Sequence, residues 1–260
     1  MGTLDGQIAV VTGASRGIGR GVAIGLGEQG ATVYVTGRSI GDKPRTIDTT
    51  AREVTEAGGK GIAIQTDHFD DAQIEAVFTQ IKDNHGHLDI LVNNVFKIPD
   101  PPAWEGGFWE HPVSIWDDQV GIGLRGHYVA SWHAAPLLFE SPNRPIIINI
   151  TSPAGLVYLF NSSYSVGKAG LDRLTHDMAV ELAPFGIRVN AVNPVAGETP
   201  LLASFMGEDT PEMRARFLST IPLGRFSPPA DIAAAALFLC SDDASMITGV
   251  AMEVDGGRCI

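Results

Sequence analysis

Three residues near the middle of the chain form a potential proton-transfer set: Ser152, Tyr164 and Lys168. Tyr164 and Lys168 stand four residues apart, a spacing that places both side chains on one face of a helix. A free tyrosine has a pKa of about 10, and a fixed ammonium group beside it favours the phenolate. Lowering that pKa by about 2 to 3 requires roughly 3 to 4 kcal/mol, which one cation at about 4 Å supplies at an effective dielectric constant near 20. The hydroxyl of Ser152 is suited to hold a substrate oxygen beside the phenol.

Size and composition are typical of a globular single-domain protein. The 260 residues, of which 44% are hydrophobic and 18% charged, are enough to bury one large core. A formal net charge of −12 argues against nucleic acid and anionic membranes as partners, because both attract basic surfaces. Only Cys240 and Cys259 are present and the seven histidines are scattered, so we expect no disulfide framework and no metal site. The beginning of the chain does not resemble a signal peptide and no long apolar run occurs, which predicts a cytoplasmic protein.

Short apolar runs alternate with helix-like segments along the whole chain, without an internal repeat or a linker. Continuous apolar strands separated by helices are typical of a parallel sheet covered on both faces. The sequence therefore predicts a doubly wound α/β fold, the Rossmann fold, as a single domain over residues 1–260, with the ligand at the carboxyl ends of the strands. The predicted strands are Ile8–Thr12, Thr32–Thr36, Gly61–Thr66, Ile90–Asn93, Ile146–Ile150, Arg188–Val192 and Val250–Val254. The predicted helices are Arg20–Gly30, Ile47–Ala57, Asp71–His85, Ser114–Glu140, Ser163–Pro184 and Ala230–Cys240.

A glycine-rich turn joins the first predicted strand to the first predicted helix. Glycines at three positions let the backbone approach a pyrophosphate, and the helix N-terminus supplies N–H donors and the positive end of a dipole. The alternative is a plain tight turn. The predicted cofactor-binding residues of this loop are Gly13, Ser15, Arg16, Gly17, Ile18 and Gly19.

The end of the second predicted strand indicates which dinucleotide is bound. It reads Thr36-Gly37-Arg38-Ser39, without the Asp or Glu that would hold the ribose 2′-hydroxyl of NAD. Arg38 and Arg16 are instead suited to a 2′-phosphate, whose geometry guanidinium groups match. We therefore predict NADP(H) over NAD(H).

These residues together resemble the short-chain dehydrogenase/reductase family over nearly the whole chain. Asn93-Asn94-Val-Phe stands where the family has Asn-Asn-Ala-Gly, and Asp67 resembles an acid that contacts the adenine. Val192-Asn-Pro-Val195 resembles a stretch that contacts nicotinamide, and Asp255-Gly-Gly257 resembles the C-terminal signature. The resemblance implies hydride transfer between a nicotinamide and a carbonyl or alcohol carbon.

The resemblance also implies a role for each functional residue. Tyr164 would donate a proton during carbonyl reduction and accept one during alcohol oxidation. Lys168 would hold the nicotinamide ribose and lower the tyrosine pKa, and Ser152 would hydrogen-bond the substrate oxygen. The remaining cofactor contacts would come from Asp67, Asn93, Pro194 and Thr199, with Thr199 at the carboxamide.

Two departures from the family pattern concern the active set. Many members have an asparagine seven residues after the tryptophan that begins the fifth helix, whereas here Trp116 is followed at that distance by Gly123. A relay of water and backbone alone, or one that includes His127, would replace it; a packed or solvent-facing His127 is the alternative. The spacing from Ser152 to Tyr164 is also one residue shorter than the commonest. Four motifs together resemble a subgroup that includes vertebrate dehydrogenase/reductase member 1 and its bacterial relatives: Gly123–Tyr128, Phe108–Glu110, Trp116–Asp118 and Ser152-Pro153.

Two segments, near 96–113 and 195–222, are predicted to border the substrate. The first is rich in proline and aromatic residues, including Trp104, Phe108 and Trp109, and long loops at the ligand edge of such a sheet often act as lids. It either walls an apolar pocket, together with Tyr158, Phe160 and residues 196–206, or packs on the protein's own surface or on a partner subunit.

The leading interpretation is an NADPH-dependent oxidoreductase, a carbonyl reductase or alcohol dehydrogenase, that acts on a small apolar carbonyl or alcohol. The resemblance also implies a homodimer or homotetramer formed through two long helices. Two alternatives remain open: a non-catalytic dinucleotide-binding regulator, which Gly123 favours, and a lyase or epimerase on the same scaffold. These residues specify neither the substrate nor the direction of the reaction.

Overall fold

The strands of the structure form one seven-stranded parallel sheet. A computed structural model describes residues 2–100, 106–195, 202 and 210–259. The spatial order is β3-β2-β1-β4-β5-β6-β7, and every neighbouring pair is parallel. The doubly wound α/β fold predicted from the sequence is therefore confirmed. In chain order the strands are β1 (Ile8–Val11), β2 (Thr32–Gly37), β3 (Lys60–Gln65), β4 (Ile90–Asn93), β5 (Ile146–Ile150), β6 (Arg188–Pro194) and β7 (Ala251–Val254).

Helices cover both faces of this sheet. In chain order they are α1 (Gly17–Glu28), α2 (Ile47–Glu56), α3 (Asp71–His85), α4 (Ser114–Trp116), α5 (His127–Phe139), α6 (Ser162–Leu182), α7 (Pro211–Leu218) and α8 (Pro229–Cys240). A π-helical segment, Asp117–Gly126, joins α4 to α5. Helices α1, α2 and α8 pack on one face, and α3, α5 and α6 on the other. Among the described residues, no helix has the length and apolar content that a bilayer crossing requires.

Alternating side chains of each strand enter two separate hydrophobic clusters. In β1, Ala9 and Val11 join the cluster under α1 and α8, whereas Ile8 and Val10 join the cluster under α3 and α5. Successive residues of a strand point to opposite faces of the sheet. A strand covered on both faces must therefore be apolar at every position, which explains continuous runs such as Ile146–Ile150.

The order of the strands reverses between β1 and β4. From β1 the chain builds outward through β2 and β3, and then returns to place β4 on the other side of β1. In open parallel sheets a ligand crevice forms outside the carboxyl ends of the strands at such a point. The glycine loop follows β1, and Asn93 ends β4, so both lie at this crevice.

The structure differs from the sequence prediction in two helical regions. The continuous helix predicted over Ser114–Glu140 contains a π-helical segment of ten residues. Three glycines, at positions 121, 123 and 126, lie in this segment, and glycine accepts departures from α geometry more readily than other residues do. Helix α7 lies inside the predicted substrate segment 195–222. Its start is marked by a Thr210 cap and by Pro211 at its first position, both recognised helix-start signals.

Candidate active site

Tyr164 is positioned by the first turn of α6. Asn161 is the N-cap of this helix, and its Oδ1 accepts a hydrogen bond from the backbone N–H of Tyr164 at 2.8 Å. Such a cap is worth about 1 kcal/mol. Tyr164 and Lys168 are both buried, at 5% and 6% exposure. They project from one face of α6, as the four-residue spacing predicts.

The ammonium group of Lys168 is anchored on the backbone of β5. Its Nζ donates to the carbonyl oxygen of Ile150 at 2.9 Å and lies 5.6 Å from the centre of the Phe96 ring. Burial lowers the pKa of Lys168 to about 8, and the carboxylate of Asp172 opposes that change. At neutral pH the group therefore remains mainly cationic, and two of its three N–H donors are left for a ribose or a water molecule.

The phenol of Tyr164 is protonated at neutral pH. Burial raises the pKa of Tyr164 to about 12, and a hydrogen bond with Ser152 opposes the rise. The sequence predicts a pKa lowered by Lys168, and that prediction is wrong for this structure. Nζ lies 6.0 Å from the centre of the Tyr164 ring, and the cost of burying a phenolate outweighs an ammonium group at that distance. The protonated phenol is the form that can protonate a carbonyl oxygen.

Ser152 lies two residues beyond the end of β5 and beside Tyr164. Its hydroxyl hydrogen-bonds with the Tyr164 hydroxyl and accepts a hydrogen bond from the backbone N–H of Ala154 at 3.3 Å. The shorter loop between Ser152 and Tyr164 does not separate them. All three residues predicted as catalytic, Ser152, Tyr164 and Lys168, line one cleft.

The glycine loop packs closely against the segment that follows β4. Gly13 and Gly17 have φ values of 65° and 58°, a region that glycine adopts without steric cost. A Cβ on Gly13 would lie 2.6 Å from Cα of Val95, and a Cβ on Gly19 would lie 2.3 Å from Nδ2 of Asn94. The Asn94 amide donates to the carbonyl oxygen of Gly13 at 3.1 Å. Side chains at Gly13 and Gly19 would therefore displace the backbone or the amide that braces the loop.

The first turn of α1 fits the pyrophosphate of a dinucleotide. No side chain caps this helix, and no acidic residue lies in its first turn, whereas Thr46, Asp70 and Asn161 cap α2, α3 and α6. Its N–H groups and positive dipole end are therefore free to bind an anion. Ile18, in this first turn, lines the same cleft as Tyr164. These residues fit a nicotinamide dinucleotide whose phosphates bind at the helix N-terminus.

The other predicted cofactor residues lie at the same edge of the sheet. Arg16 and Arg38 are exposed after β1 and β2, and neither forms an ion pair within the described part of the chain. Asp67, just beyond β3, accepts a hydrogen bond from the backbone N–H of Phe69 at 3.1 Å. Ser15 is buried in the loop, and Pro194 ends β6 and lines the cleft. Thr199 lies outside the described residues.

Asn93 and Asn94 have different roles. Asn93 is fully buried, and its Nδ2 donates to Ser131 and Asn149 at 2.9 Å each. Asn94 lines the cleft and holds the glycine loop. The cofactor contact predicted from the sequence is Asn93, whereas the side chain that lines the cleft belongs to Asn94, which that prediction omits. The Asn93-Asn94 pair is visible in the sequence. Because successive residues of a strand point to opposite faces, only one of these two side chains points into the interior. A cofactor contact of Asn93 stays a prediction.

The side of the cleft away from the glycine loop is apolar. Phe96 and Phe160 contact the Tyr164 ring, with ring centres 5.3 and 5.9 Å away. Phe160 has a φ of 66°, an unusual conformation for an aromatic residue and one that is often found at functional sites. The remaining apolar lining of this side comes from Pro153, Leu159, Val195, Leu202 and Phe217.

The aromatic segment 96–113 only partly reaches this cleft. Phe96 lines it, whereas Phe108 and Trp109 are 69% and 75% exposed and do not line the cleft that the structure describes. Trp104, together with residues 196–201 and 203–206, lies outside the described residues. Whether the segment acts as a lid or packs on a partner subunit stays a prediction.

His127 is a buried, neutral side chain one helical turn beyond Gly123. Its Nε2 lies 2.9 Å from the carbonyl oxygen of Val95, and since a carbonyl only accepts, Nε2 carries the proton and Nδ1 is an acceptor. Burial and then the charge of Lys168 lower the pKa of His127 to about 3. Nδ1 has no hydrogen-bond partner among the described residues. The histidine is therefore packed rather than solvent-facing, and its part in a proton relay stays a prediction.

One group of potential metal ligands occurs among the described residues. The carboxylates of Glu253 and Asp255 and the thiol of Cys259 lie within 4.8 Å of one another. The Asp255 carboxylate accepts hydrogen bonds from the backbone N–H groups of Gly257 and Cys259 at 2.9 and 2.8 Å, and the Cys259 thiol has its pKa raised to about 11, mainly by burial. These hydrogen bonds stabilise a turn of the backbone, and that turn explains why the three side chains lie close together.

The fold and the cleft together are those of a dinucleotide-binding protein of the Rossmann class. A family model described as enoyl-(acyl carrier protein) reductase matches residues 13–258. The mouse protein dehydrogenase/reductase SDR family member 1 is 41% identical over 213 residues, which are 80% of this chain and 66% of the mouse protein. The 4-formylbenzenesulfonate dehydrogenase TsaC1/TsaC2 of Comamonas testosteroni is 38% identical over 264 residues, or 99% of each chain.

A solved structure agrees with these matches over its whole length. The 3-ketoacyl-(acyl-carrier-protein) reductase from Brucella melitensis, complexed with NADH, is 37% identical, and the two folds superimpose with a TM-score of 0.86 over 99% of this chain and 100% of that one. The chain belongs to the short-chain dehydrogenase/reductase family, whose members act on CH–OH and carbonyl groups. The resemblance predicted from the motifs is confirmed. The chain spans just under two thirds of the mouse relative.

Proposed function

We propose that the protein is an NADPH-dependent carbonyl reductase or alcohol dehydrogenase in which Tyr164 is the acid and base. One observation carries the proposal: a buried tyrosine, lysine and serine meet in the cleft that the glycine loop borders. The relative from Comamonas testosteroni is a dehydrogenase of 4-formylbenzenesulfonate, an aldehyde, which supports a carbonyl or alcohol substrate.

The reduction follows from the protonation states of these groups. Nicotinamide, when bound, supplies a hydride to the carbonyl carbon. Ser152 holds the carbonyl oxygen, and the Tyr164 hydroxyl gives that oxygen a proton as the negative charge develops on it. Lys168, cationic at neutral pH, binds the ribose and favours the phenolate that remains, because an opposite charge stabilises the ionised form. One hydride and one proton convert the carbonyl to an alcohol, and oxidation reverses each transfer.

Turnover of NADPH with a panel of aldehydes, ketones, dicarbonyls and quinones tests this function. Tyr164→Phe should lower kcat by about 10²- to 10⁴-fold, the usual contribution of a general acid, and should leave NADPH binding unchanged. Tyr128→Phe, at a half-exposed tyrosine of α5, is the matched control and should keep full activity. Tight NADPH binding without turnover of any carbonyl in the wild type would favour a dinucleotide-binding regulator instead.

The preference for NADPH rests on Arg16 and Arg38, two exposed guanidinium groups in the turns that follow β1 and β2. A 2′-phosphate between them would gain charge-assisted hydrogen bonds that NADH lacks. Competitive titration should show tighter binding of NADPH than of NADH, and Arg38→Gln should reduce that difference about tenfold. Arg144→Gln, on the opposite edge after α5, should not change it. Tighter NADH binding in the wild type would overturn the preference.

We also propose a homodimer or homotetramer that buries the outer faces of α5 and α6. Tyr128, Trp132 and Val180 are 51%, 64% and 75% exposed there, and exposed apolar patches of this kind mark interaction sites. Light scattering coupled to size-exclusion chromatography should give a multiple of 27.6 kDa. A monomer at micromolar concentration would overturn this assembly.

A further inference from the structure

Arg258 places a cation at the apolar end of the cleft. Its guanidinium group lies over the Phe217 ring, 4.8 Å from the ring centre, and both residues line the same cleft as Tyr164. Among the described lining residues Lys168 is the other cation, and its ammonium group belongs to the catalytic set. Arg258 has no part in the proton and hydride transfers of the proposed reaction.

The backbone on both sides of Arg258 is fixed by one carboxylate. Asp255 accepts hydrogen bonds from the N–H groups of Gly257 and Cys259, the residues immediately before and after Arg258. Phe217, on α7, then supports the planar guanidinium group from a different segment of the chain. The main chain at Arg258 and one face of its guanidinium group are therefore restrained before any ligand arrives, which lowers the entropic cost of binding.

The charge of Arg258 is only partly compensated. Burial lowers the pKa of Arg258, while Cys259 and Asp255 oppose that change. Within the described residues no ion pair joins Arg258 to a carboxylate, because the Asp255 oxygens accept from the backbone instead. A half-buried cation on an aromatic ring attracts an anion more strongly than a fully solvated one does. Because the ring contacts only the face of the guanidinium group, the N–H donors at its edge are left for the oxygen atoms of an anionic group.

We propose that the cleft takes a carbonyl or alcohol compound with a carboxylate or sulfonate group remote from the reacting carbon, and that Arg258 binds this anion. The reacting carbon would lie beside Ser152 and Tyr164, and the apolar body of the molecule would contact Phe96 and Phe160. This inference rests on the proposed function and corrects its substrate class from simply apolar to apolar with one anionic end.

Two aldehydes of nearly equal shape test the anion site. With NADPH as reductant, kcat/KM is measured for 4-formylbenzoate, which carries a carboxylate, and for 4-formylbenzamide, which is neutral. The wild type should prefer the carboxylate at least tenfold. Arg258→Met should remove that preference by lowering kcat/KM for the carboxylate alone, and Arg258→Lys should retain part of it. Arg216→Met, at an exposed arginine of α7, is the matched control and should behave like the wild type.

The contradicting outcomes are distinct. Equal kcat/KM values for the two aldehydes in the wild type, or an equal loss on both in Arg258→Met, would overturn the anion site and leave the reductase intact. Binding of terephthalate to the NADPH-loaded protein, followed by nicotinamide fluorescence, needs no turnover. If no aldehyde is reduced, terephthalate binding that weakens at least tenfold in Arg258→Met would keep the anion site while overturning the proposed function. Binding that is absent or independent of Arg258 would overturn the site itself.

Discussion

The two sides of the cleft are built from different parts of the chain. The cofactor side is built mainly by backbone: the positive φ of Gly13, the uncapped first turn of α1 and the amide of Asn94 that braces them. The substrate side is built by side chains, among them Phe96, Phe160, Phe217 and Arg258, which come from four separate segments.

This difference explains why one side is restrictive and the other adaptable. A backbone site needs glycine at fixed positions, because a Cβ would occupy the space of a neighbouring atom. A wall of side chains keeps its shape under many exchanges of similar volume. Within one family the first side is therefore suited to a constant cofactor, and the second to a substrate that changes from member to member.

The largest effect of a substitution is expected on the cofactor side, which is built by the backbone. Gly13→Ala places a Cβ 2.6 Å from Cα of Val95 at a φ of 65°, so we expect a loss of roughly 2 to 5 kcal/mol in the free energy of unfolding and at least tenfold weaker NADPH binding. Gly41→Ala is the control, because its φ is 95° and no atom lies within 4 Å of the added Cβ; it should cost about 1 kcal/mol. Denaturant unfolding and fluorescence titration measure both. Equal losses in the two variants would show that the close contact at Gly13 does not make the cofactor side more restrictive than an open turn.

A smaller effect concerns the buried histidines beneath the cofactor side. Burial is the main cause that lowers the pKa of His127 to about 3 and the pKa of His68 to about 4. The unfolded chain then binds more protons than the folded one below about pH 6.5, so stability rises with pH between about 4 and 6.5. His127→Gln should remove up to about 3 kcal/mol of that dependence, since one unit of pKa corresponds to about 1.4 kcal/mol. Thermal unfolding from pH 4 to 7 measures it.

The control for this pH dependence is His133→Gln, at a partly exposed histidine of α5, which should keep the wild-type slope. A His127→Gln slope equal to that of the wild type would mean that His127 becomes charged in the folded protein. The cofactor side would then be less rigid than its hydrogen bonds indicate.

The smallest effect is expected on α6, behind the substrate side. Asp172 has its pKa raised to about 6, mainly by burial, and it faces Lys168, His176 and Glu253. Its charge raises the pKa of Lys168, so Asp172→Asn should make Lys168 lose its proton at lower pH. The alkaline limb of the kcat/KM profile should move to lower pH, with a loss of a few fold at pH 8. Asp177→Asn, at a half-exposed residue of the same helix, is the control. An unmoved limb in Asp172→Asn would show that Asp172 does not act on Lys168.

The sequence was sufficient for most of the fold, because its signals are local. The strands Ile90–Asn93 and Ile146–Ile150 and the helix Asp71–His85 have the bounds that their apolar patterns and flanking residues predict. The glycine loop and the Ser152, Tyr164 and Lys168 set were likewise identifiable from residue type and spacing.

What the sequence could not show depends on burial and on contacts between distant segments. The raised pKa of Tyr164 reflects its desolvation in the assembled cleft. The five residues from Tyr164 to Lys168 contain no information about that burial. Arg258 reaches the cleft because α7 brings Phe217 beneath it, a contact across about forty residues of chain. The π-helical segment around Gly123 likewise departs from the period that its apolar residues suggest.

If Tyr164 acts as proposed, the cap that Asn161 gives to α6 links the thermal stability of one helix end to catalysis. The same hydrogen bond that closes the end of the helix also fixes the main chain of Tyr164, and helices begin to fray at their ends. Local opening of this first turn would move the phenol while the rest of the sheet stays folded. Activity is therefore expected to decline at temperatures below the midpoint of global unfolding. Loss of turnover would then be a more sensitive measure of heating than loss of the folded structure.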